Sequence, residues 1–263
     1  FLPPPKPPAG EAWVDVLDVG QGLAVLVRTA EHALLYDTGP LYSAESDAGQ
    51  RVVVPFLRHL GLSRIDLMMV THRDTDHSGG AASVLSALRV DKVSSSLADS
   101  LGEPCVAGQR WTWDGVAFEV LHPAAEAYAG NAKPNHLSCV LRIVAGGRRM
   151  LLTSDIEAPD EAALLQRYAG DLAADIMLVP HHGSKTSSTP DFIKAVGASE
   201  VIVPVGYRNR FGHPKPEVLA RYEAQGSRLW RTDRDGAVRI ELGGAMPSPA
   251  AWRQEHRRYW QGR

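Results

Sequence analysis

Residues 71–80 read Thr-His-Arg-Asp-Thr-Asp-His-Ser-Gly-Gly, and four of them, His72, Asp74, Asp76 and His77, are metal-ligand types. The apolar run Ile-Asp-Leu-Met-Met-Val (65–70) leads in. A strand therefore ends in a ligand-rich loop, and a helix starts just beyond it. In extended chain, side chains at i, i+2 and i+4 share a face, so His72, Asp74 and Asp76 point one way. The turn into the helix brings His77 round beside them. Two carboxylates held together away from water are costly unless cations lie between them. A pair of divalent ions is the simplest arrangement that satisfies the cluster.

Working outward, three more ligand-bearing segments end apolar runs. Leu-Leu-Thr-Ser-Asp (151–155) ends in Asp155, Leu-Val-Pro-His-His-Gly-Ser (178–184) carries His181 and His182, and Phe-Gly-His-Pro (211–214) places His213 in a Gly/Pro loop. In layered α/β folds such loops converge at one end of the sheets. A carboxylate such as Asp155 can bridge two metals. Taken alone, Asp155 also reads as a helix N-cap, because Ile-Glu-Ala-Pro follows. Gly20-Gln21-Gly22 reads equally well as a plain hairpin turn.

Short apolar runs recur along the chain: 13–19, 23–29, 33–36, 65–70 and 116–121, then 138–144, 149–153, 176–179, 201–205, 228–230 and 237–242. These are expected as strands. Helical patterns occupy 52–60, 81–88, 160–168, 190–196 and 216–224. The order predicts an α/β protein: an αββα sandwich of two mixed sheets flanked by helices.

The 263 residues are 44% hydrophobic and 22% charged, which is enough apolar chain for a sizeable core. A net charge of -2 argues against a strongly basic nucleic-acid binder, although bound metal ions supply positive charge locally. Cys105 and Cys139 form either one bridge or two buried thiols, with the thiols expected. No run of about 20 apolar residues appears, so no span is expected. The proline-rich start, residues 1–10, reads as a linker cut from a longer chain. Residues 246–263 read as a basic and aromatic helix or tail. Its tryptophans are expected against the domain and its arginines in solvent, the other reading being a DNA contact.

The motif His72-Arg73-Asp74-Thr75-Asp76-His77 resembles the His-x-His-x-Asp-His signature of the metallo-β-lactamase superfamily, with Asp in place of the second His. Leu-Asp-Val-Gly-Gln-Gly (17–22), Leu-Tyr-Asp-Thr-Gly (35–39), 72–80, Val-Pro-His-His-Gly-Ser (179–184) and Gly-His-Pro (212–214) occur in an order similar to the C-terminal domain of the ComEC family. That family forms inner-membrane channels for DNA uptake in natural competence. The resemblance spans residues 11–242, and residues 11–245 are taken as the metallo-β-lactamase-like domain.

The resemblance implies a two-metal deoxyribonuclease that degrades the non-imported strand, single-stranded by preference. His72, Asp74 and Asp155 would hold one ion, and Asp76, His77, Asp155 and His181 or His182 the other, with His181 the choice by analogy. The superfamily's third histidine at the first ion falls on Ser138, with Asn135 and His136 nearby. Carboxylate-rich donors favour Mn²⁺ over the softer Zn²⁺, with Mg²⁺ also open. Asp76, His213 and Lys185 are the catalytic candidates, His213 as proton donor or phosphate ligand and Lys185 with Ser184 as phosphate ligands. Asp18 and Asp37 are expected to orient ligands or loops. The implied partners are DNA and the rest of a membrane channel protein, with the domain on the exocytoplasmic side. Two other functions fit the same residues: a small-molecule phosphodiesterase or other hydrolase of the superfamily, and a non-catalytic DNA-binding module.

Overall fold

The computed structural model describes residues 4–97, 100–244 and 249–256. Its apolar runs become strands because each finds cover on both faces. Val25–Arg28 and Ala33–Tyr36 are buried along their whole length, as inner strands must be when a second sheet lies on one side and helices on the other. The first sheet runs in the order Ala250–Ala251, Val238–Leu242, Ala12–Val16, Val25–Arg28, Ala33–Tyr36, Arg64–Val70, Arg89–Ser95 and Glu103–Pro104. The second runs Arg228–Arg231, Glu200–Val203, Ile176–Leu178, Arg148–Leu152, Val140–Ala145, Val116–His122 and Arg110–Trp113. Both are mixed: Leu34 pairs in parallel with Leu67 and Met150 in parallel with Ile176, while Val14 faces Val27 and Leu141 faces Leu152 antiparallel.

Three apolar cores separate the layers. Between the sheets lie Val14, Leu34, Met69, Phe118, Leu141, Met150 and Ile240. Helices Val54–His59 and Ala81–Ala87 cover the outer face of the first sheet through Leu57 and Val84. Helices Ala158–Arg167, Pro190–Val196 and Pro216–Ala224 cover the second through Leu164, Phe192 and Tyr222. The layering is αββα, as the alternation of runs predicts.

Some segments differ from the sequence reading. Arg89–Ser95 pairs in parallel with Arg64–Val70, opposing Leu67 with Lys92. Its charged residues sit on a strand near the sheet margin, so the apolar signal that marks inner strands is missing. Cys105 and Cys139 are bonded as a disulfide rather than standing as separate buried thiols. They are 34 residues apart, and only the packing of the two sheets brings them together. Past residue 245 the chain returns to the sheet, since Ala250–Ala251 pairs with Val238 and Arg239. Arg253 then turns inward, donating to Asp18 Oδ2 and to Asp233 O at 2.7 Å each, while Trp252 is exposed and stacks on His256. For residues 252–256 that is the reverse of the expected orientation, because two half-buried acceptors, one of them a carboxylate, hold the guanidinium in charge-assisted hydrogen bonds. Arg257, Arg258, Tyr259 and Trp260 lie outside the described residues. At the other end Pro7 is buried and Arg28 donates to Pro5 O, so residues 4–10 lie against the domain.

The two sheets are tied together where strands of both end. Tyr36 donates its hydroxyl to Cys139 O and Leu152 O, Cys139 N donates to Thr71 O, and the Thr71 and Ser154 hydroxyls are 2.6 Å apart. Thr71 adjoins His72 and Ser154 adjoins Asp155, so these bonds fix the two ligand loops against each other.

Candidate metal centre

His72 follows the strand Arg64–Val70, and Asp76 and His77 lie in the one-turn helix Thr75–Ser78. Asp155 follows the strand Arg148–Leu152. His181 and His182 follow Ile176–Leu178, both with positive φ (49° and 54°). Consecutive non-glycine residues in that region mark a conformation the surroundings impose, and here it turns His182 inward.

Asp155 is the hub. Its carboxylate lies 3.1 Å from His77 Nε2, 3.5 Å from His182 Nε2, 3.7 Å from His181 Nε2 and 4.0 Å from His72 Nε2. One donor atom each from Asp76, His77, Asp155 and His182 lies within 4.8 Å of the others. The imidazoles are aimed by what holds the opposite nitrogen. His77 Nδ1 is 2.7 Å from Asp37 Oδ2, His182 Nδ1 is 2.7 Å from Pro204 O, and His72 Nδ1 is 3.1 Å from Thr71 Oγ1. A proton kept on Nδ1 leaves the Nε2 lone pair free for a metal. Asp37 is itself fixed, accepting from Thr71 N at 2.7 Å and Thr71 Oγ1 at 2.8 Å.

The electrostatics agree with a cation site. Burial opposes the charge on Asp155, yet His182 and His77 hold its carboxyl well below the usual range. Burial likewise opposes Asp76, but the His182 hydrogen bond and His77 hold it at about 2. Burial, with His77 beside it, lowers His72 to about 3, so that ring is neutral. Its Nε2 is fully buried and has no hydrogen-bond partner. That atom lies 3.7 Å from Asp74 Oδ2 and 4.0 Å from Asp155 Oδ2. Two donors sharing one ion at about 2.0–2.2 Å each stand up to roughly 4 Å apart, so the set fits a divalent cation.

Residues 17–206 match the sequence pattern of the metallo-beta-lactamase superfamily. The chain belongs to that superfamily. With its His/Asp cluster it is a metal-dependent hydrolase in type, built for divalent ions. Competence protein ComA of Neisseria gonorrhoeae is 40% identical over 240 residues, covering 91% of this chain and 34% of that protein. Recombination protein 2 of Haemophilus influenzae is 33% identical over 233 residues, 87% of this chain and 29% of that protein. The chain thus spans about a third of the length of these curated relatives. Among solved structures, CmlA, a diiron beta-hydroxylase from Streptomyces venezuelae, superposes with a TM-score of 0.58 at 15% identity, covering 92% of this chain and 55% of that one. The metallo-beta-lactamase fold protein YhfI from Bacillus subtilis gives 0.53 at 13%, covering 84% and 96%. These likenesses show the fold.

Within the superfamily's site, His182 rather than His181 joins the four-donor set. His181 is less buried, and its Nδ1 faces Glu157 Oε1 at 3.3 Å and Thr186 Oγ1 at 3.2 Å. Ser138 stands beside the His72 loop, because its neighbour Cys139 bonds to Thr71, and the Ser138 hydroxyl is buried without a partner. His136 is engaged elsewhere, by Asp160 at 2.9 Å. Asp160 also accepts from Glu157 N at the start of its helix, so that helix is capped without Asp155. Lys185 is exposed. Burial, with His181 and His182 nearby, lowers His213 to about 4, so it is neutral near pH 7. Asp18 braces Arg253 and the turn at Gly20 rather than a metal ligand.

Gly22 has a structural reason that sequence alone left open. Its φ is 143°, and a Cβ there would stand 2.3 Å from Asp76 O. Leu23 N donates to that same carbonyl at 3.1 Å, so the glycine loop clamps the ligand helix directly. Gln21 accepts from Gly206 N and ties in the loop that carries His213. Ser154 and Pro204, which steady His72 and His182, carry no sequence signal of such a role.

Proposed function

We propose that this chain is a metal-dependent nuclease domain of a DNA-uptake protein, hydrolysing phosphodiester bonds in the DNA strand that is not imported. The observation that carries the proposal is the gathering of the His72, His77 and His182 Nε2 atoms around Asp155, each of these imidazoles pinned at Nδ1, with Asp74 beside His72 and Asp76 beside His182. His72, Asp74 and Asp155 would hold one ion, and Asp76, His77, Asp155 and His182 the other, Mn²⁺ by preference. When bound, such ions lower the pKa of a water nucleophile and offset charge on the phosphoryl oxygens.

The protein's own residues do the rest. Asp37, Pro204 and Thr71 keep the histidine tautomers and ring orientations, so little reorganisation is needed during reaction. His213, neutral in the free protein, gains a proton more readily once an anionic phosphate lies beside it, and is then placed to protonate the leaving oxygen. Lys185 reaches into solvent near the His181–Ser184 turn and suits a neighbouring phosphate. A groove of about 830 Å³ opens beside Arg73, lined also by Tyr128, Asn131, Pro134 and Leu137.

The competence and recombination names of the relatives support the DNA-uptake setting. The disulfide supports an exocytoplasmic location, since such bonds persist in oxidising compartments. Among the described residues no helix is long and apolar enough to cross a membrane. End-labelled single- and double-stranded DNA, incubated across Mn²⁺, Mg²⁺ and Zn²⁺, tests the reading. Cleavage is expected with Mn²⁺ and not with Asp76→Ala. Turnover of a small chromogenic diester without DNA cleavage would assign the site to a small-molecule phosphodiesterase, and DNA binding without cleavage to a binding module.

A further inference from the structure

The loop between Glu200–Val203 and Pro216–Ala224 reads Gly-Tyr-Arg-Asn-Arg-Phe-Gly-His-Pro-Lys (206–215). His213 is the one residue of it with a reacting role in the proposed hydrolysis. Tyr207 is 70% exposed and Phe211 45%. Two large rings left in water on one loop forgo the stabilisation that burial gives. Each has a guanidinium over it, with Arg208 Cζ 5.2 Å from the Tyr207 centroid and Arg210 Cζ 4.8 Å from that of Phe211.

The loop is held in shape. Asn209 Nδ2 donates to Gly206 O and His213 O, and Asn209 Oδ1 accepts from His213 N. Lys215 Nζ donates to Phe211 O at 2.8 Å, and Gln21 anchors Gly206. Through His213 and His181 the platform leads to the ligand Asp155. The Phe211 ring lies nearly parallel to His213, at 12° and 5.8 Å, and His213 is 6.0 Å from His181, whose Nε2 is 3.7 Å from Asp155.

We propose that Tyr207 and Phe211, with Arg208 and Arg210, form a stacking and phosphate-holding platform for single-stranded nucleic acid beside the scissile phosphate. The proposal rests on the nuclease reading of the metal centre. A flat exposed ring offers its face to an unpaired base, and every base has such a face, so the platform is tolerant of sequence. A base in a duplex already has its faces covered by neighbours, so the platform selects single strands. The arginines cover the ring faces in the free protein and swing to phosphates when a base takes their place. Positive charge is thereby concentrated at the site in a chain whose net charge is -2. Because Asn209 and Lys215 hold the loop in place beforehand, little ordering entropy is lost on binding.

The test is anisotropy of fluorescein-labelled oligo(dT) with the full chain in EDTA, where binding is read without cleavage. Phe211→Ala is expected to weaken binding roughly 5- to 150-fold, the range for loss of one stacked base. Phe211→Trp should keep the affinity, and the fluorescence of its added indole should be quenched by the oligonucleotide. Joint Arg208→Ala and Arg210→Ala should reduce the slope of log K against log salt by about 1.4, at about 0.7 per phosphate on a single strand. Unchanged affinity in joint Tyr207→Ala and Phe211→Ala, an unquenched indole in Phe211→Trp, or no oligonucleotide binding by the native chain overturns the proposal. If the native chain binds with the expected mutational pattern and never cleaves with any metal, the platform stands and the nuclease reading fails. If the native chain and the double alanine variant bind and cleave alike, the platform fails and the nuclease reading stands.

Discussion

Replacing Asp37 by Asn changes what one oxygen, Oδ2, offers to His77 Nδ1 and to the Thr71 hydroxyl, and leaves side-chain size almost unchanged. Asp37 is fully buried at φ 59°, a conformation Asn tolerates nearly as well as Asp, so backbone strain does not confuse the result. The Asn oxygen can still accept from Thr71 N. Its amide then presents N–H to His77 Nδ1, where the carboxylate presented an acceptor at 2.7 Å. The imidazole must accept at Nδ1 and carry its proton on Nε2, the atom that faces Asp155. Loss of such an orienting partner weakens metal affinity about 10- to 100-fold. At metal equal to 100 times the native Kd, bound metal stabilises the native chain by about 2.7 kcal/mol, and the variant by only about 0.4–1.4 kcal/mol. At about 2–4 °C per kcal/mol for a chain of this size, the metal-induced rise in Tm falls from about 5–11 °C to roughly half of that or less. Thermal unfolding with and without Mn²⁺ measures it, each protein against its own metal-free baseline. Asp37 is a buried carboxyl that burial pushes up and His77 pulls back, so the metal-free baseline can move either way without affecting the comparison. An Asp37→Asn variant with the full native metal-induced shift would refute the claim that Asp37 sets the His77 tautomer.

His182→Ala should lower bound-metal stoichiometry and cleavage far more than His181→Ala, checked by metal analysis of the purified variants, because only His182 belongs to the four-donor set. Eliminating the Cys105–Cys139 bond by joint Ser substitution should cost about 4 kcal/mol or less in urea unfolding, the loop-closure value for a separation of 34 residues. Acid unfolding should reveal Asp114. Burial opposes its charge, but His32, Thr29 and the Glu31 amide hold it at about 2. Its folded value is depressed, so the stabilisation is present above the unfolded carboxylate value near 4 and is lost as pH falls toward 2. Asp114→Asn should therefore be less stable than the native chain at pH 7, with the difference closing between about pH 4 and pH 2.

The inner strands were legible because burial on both faces demands continuous apolar runs, as in Ala33–Tyr36 and Ile176–Leu178. Arg89–Ser95 was not, because a marginal strand half open to water needs no such run. Similar limits apply at the site. His72, Asp76, His77 and Asp155 stand at strand ends, where local pattern already marks them. The choice between His181 and His182 rests on two adjacent positive φ values that no side-chain pattern announces. The cysteine pairing depended on how two sheets stack, and Arg253 found acceptors at Asp18 and Asp233 that lie far away in the chain.

Donor types, their spacing and the order of the ligand loops are properties of the chain itself. From them follows the expectation of divalent metal, since clustered carboxylates and imidazoles need a cation wherever they are buried, while the order of apolar runs and helical patterns gives the αββα layering. Direction was decided by the tertiary structure. Asp37 and His77, His182 and Pro204, and Ser154 and Thr71 are partners from different strands and loops. An imidazole can present either nitrogen, and which one faces Asp155 depends on the acceptor that packing brings to the other.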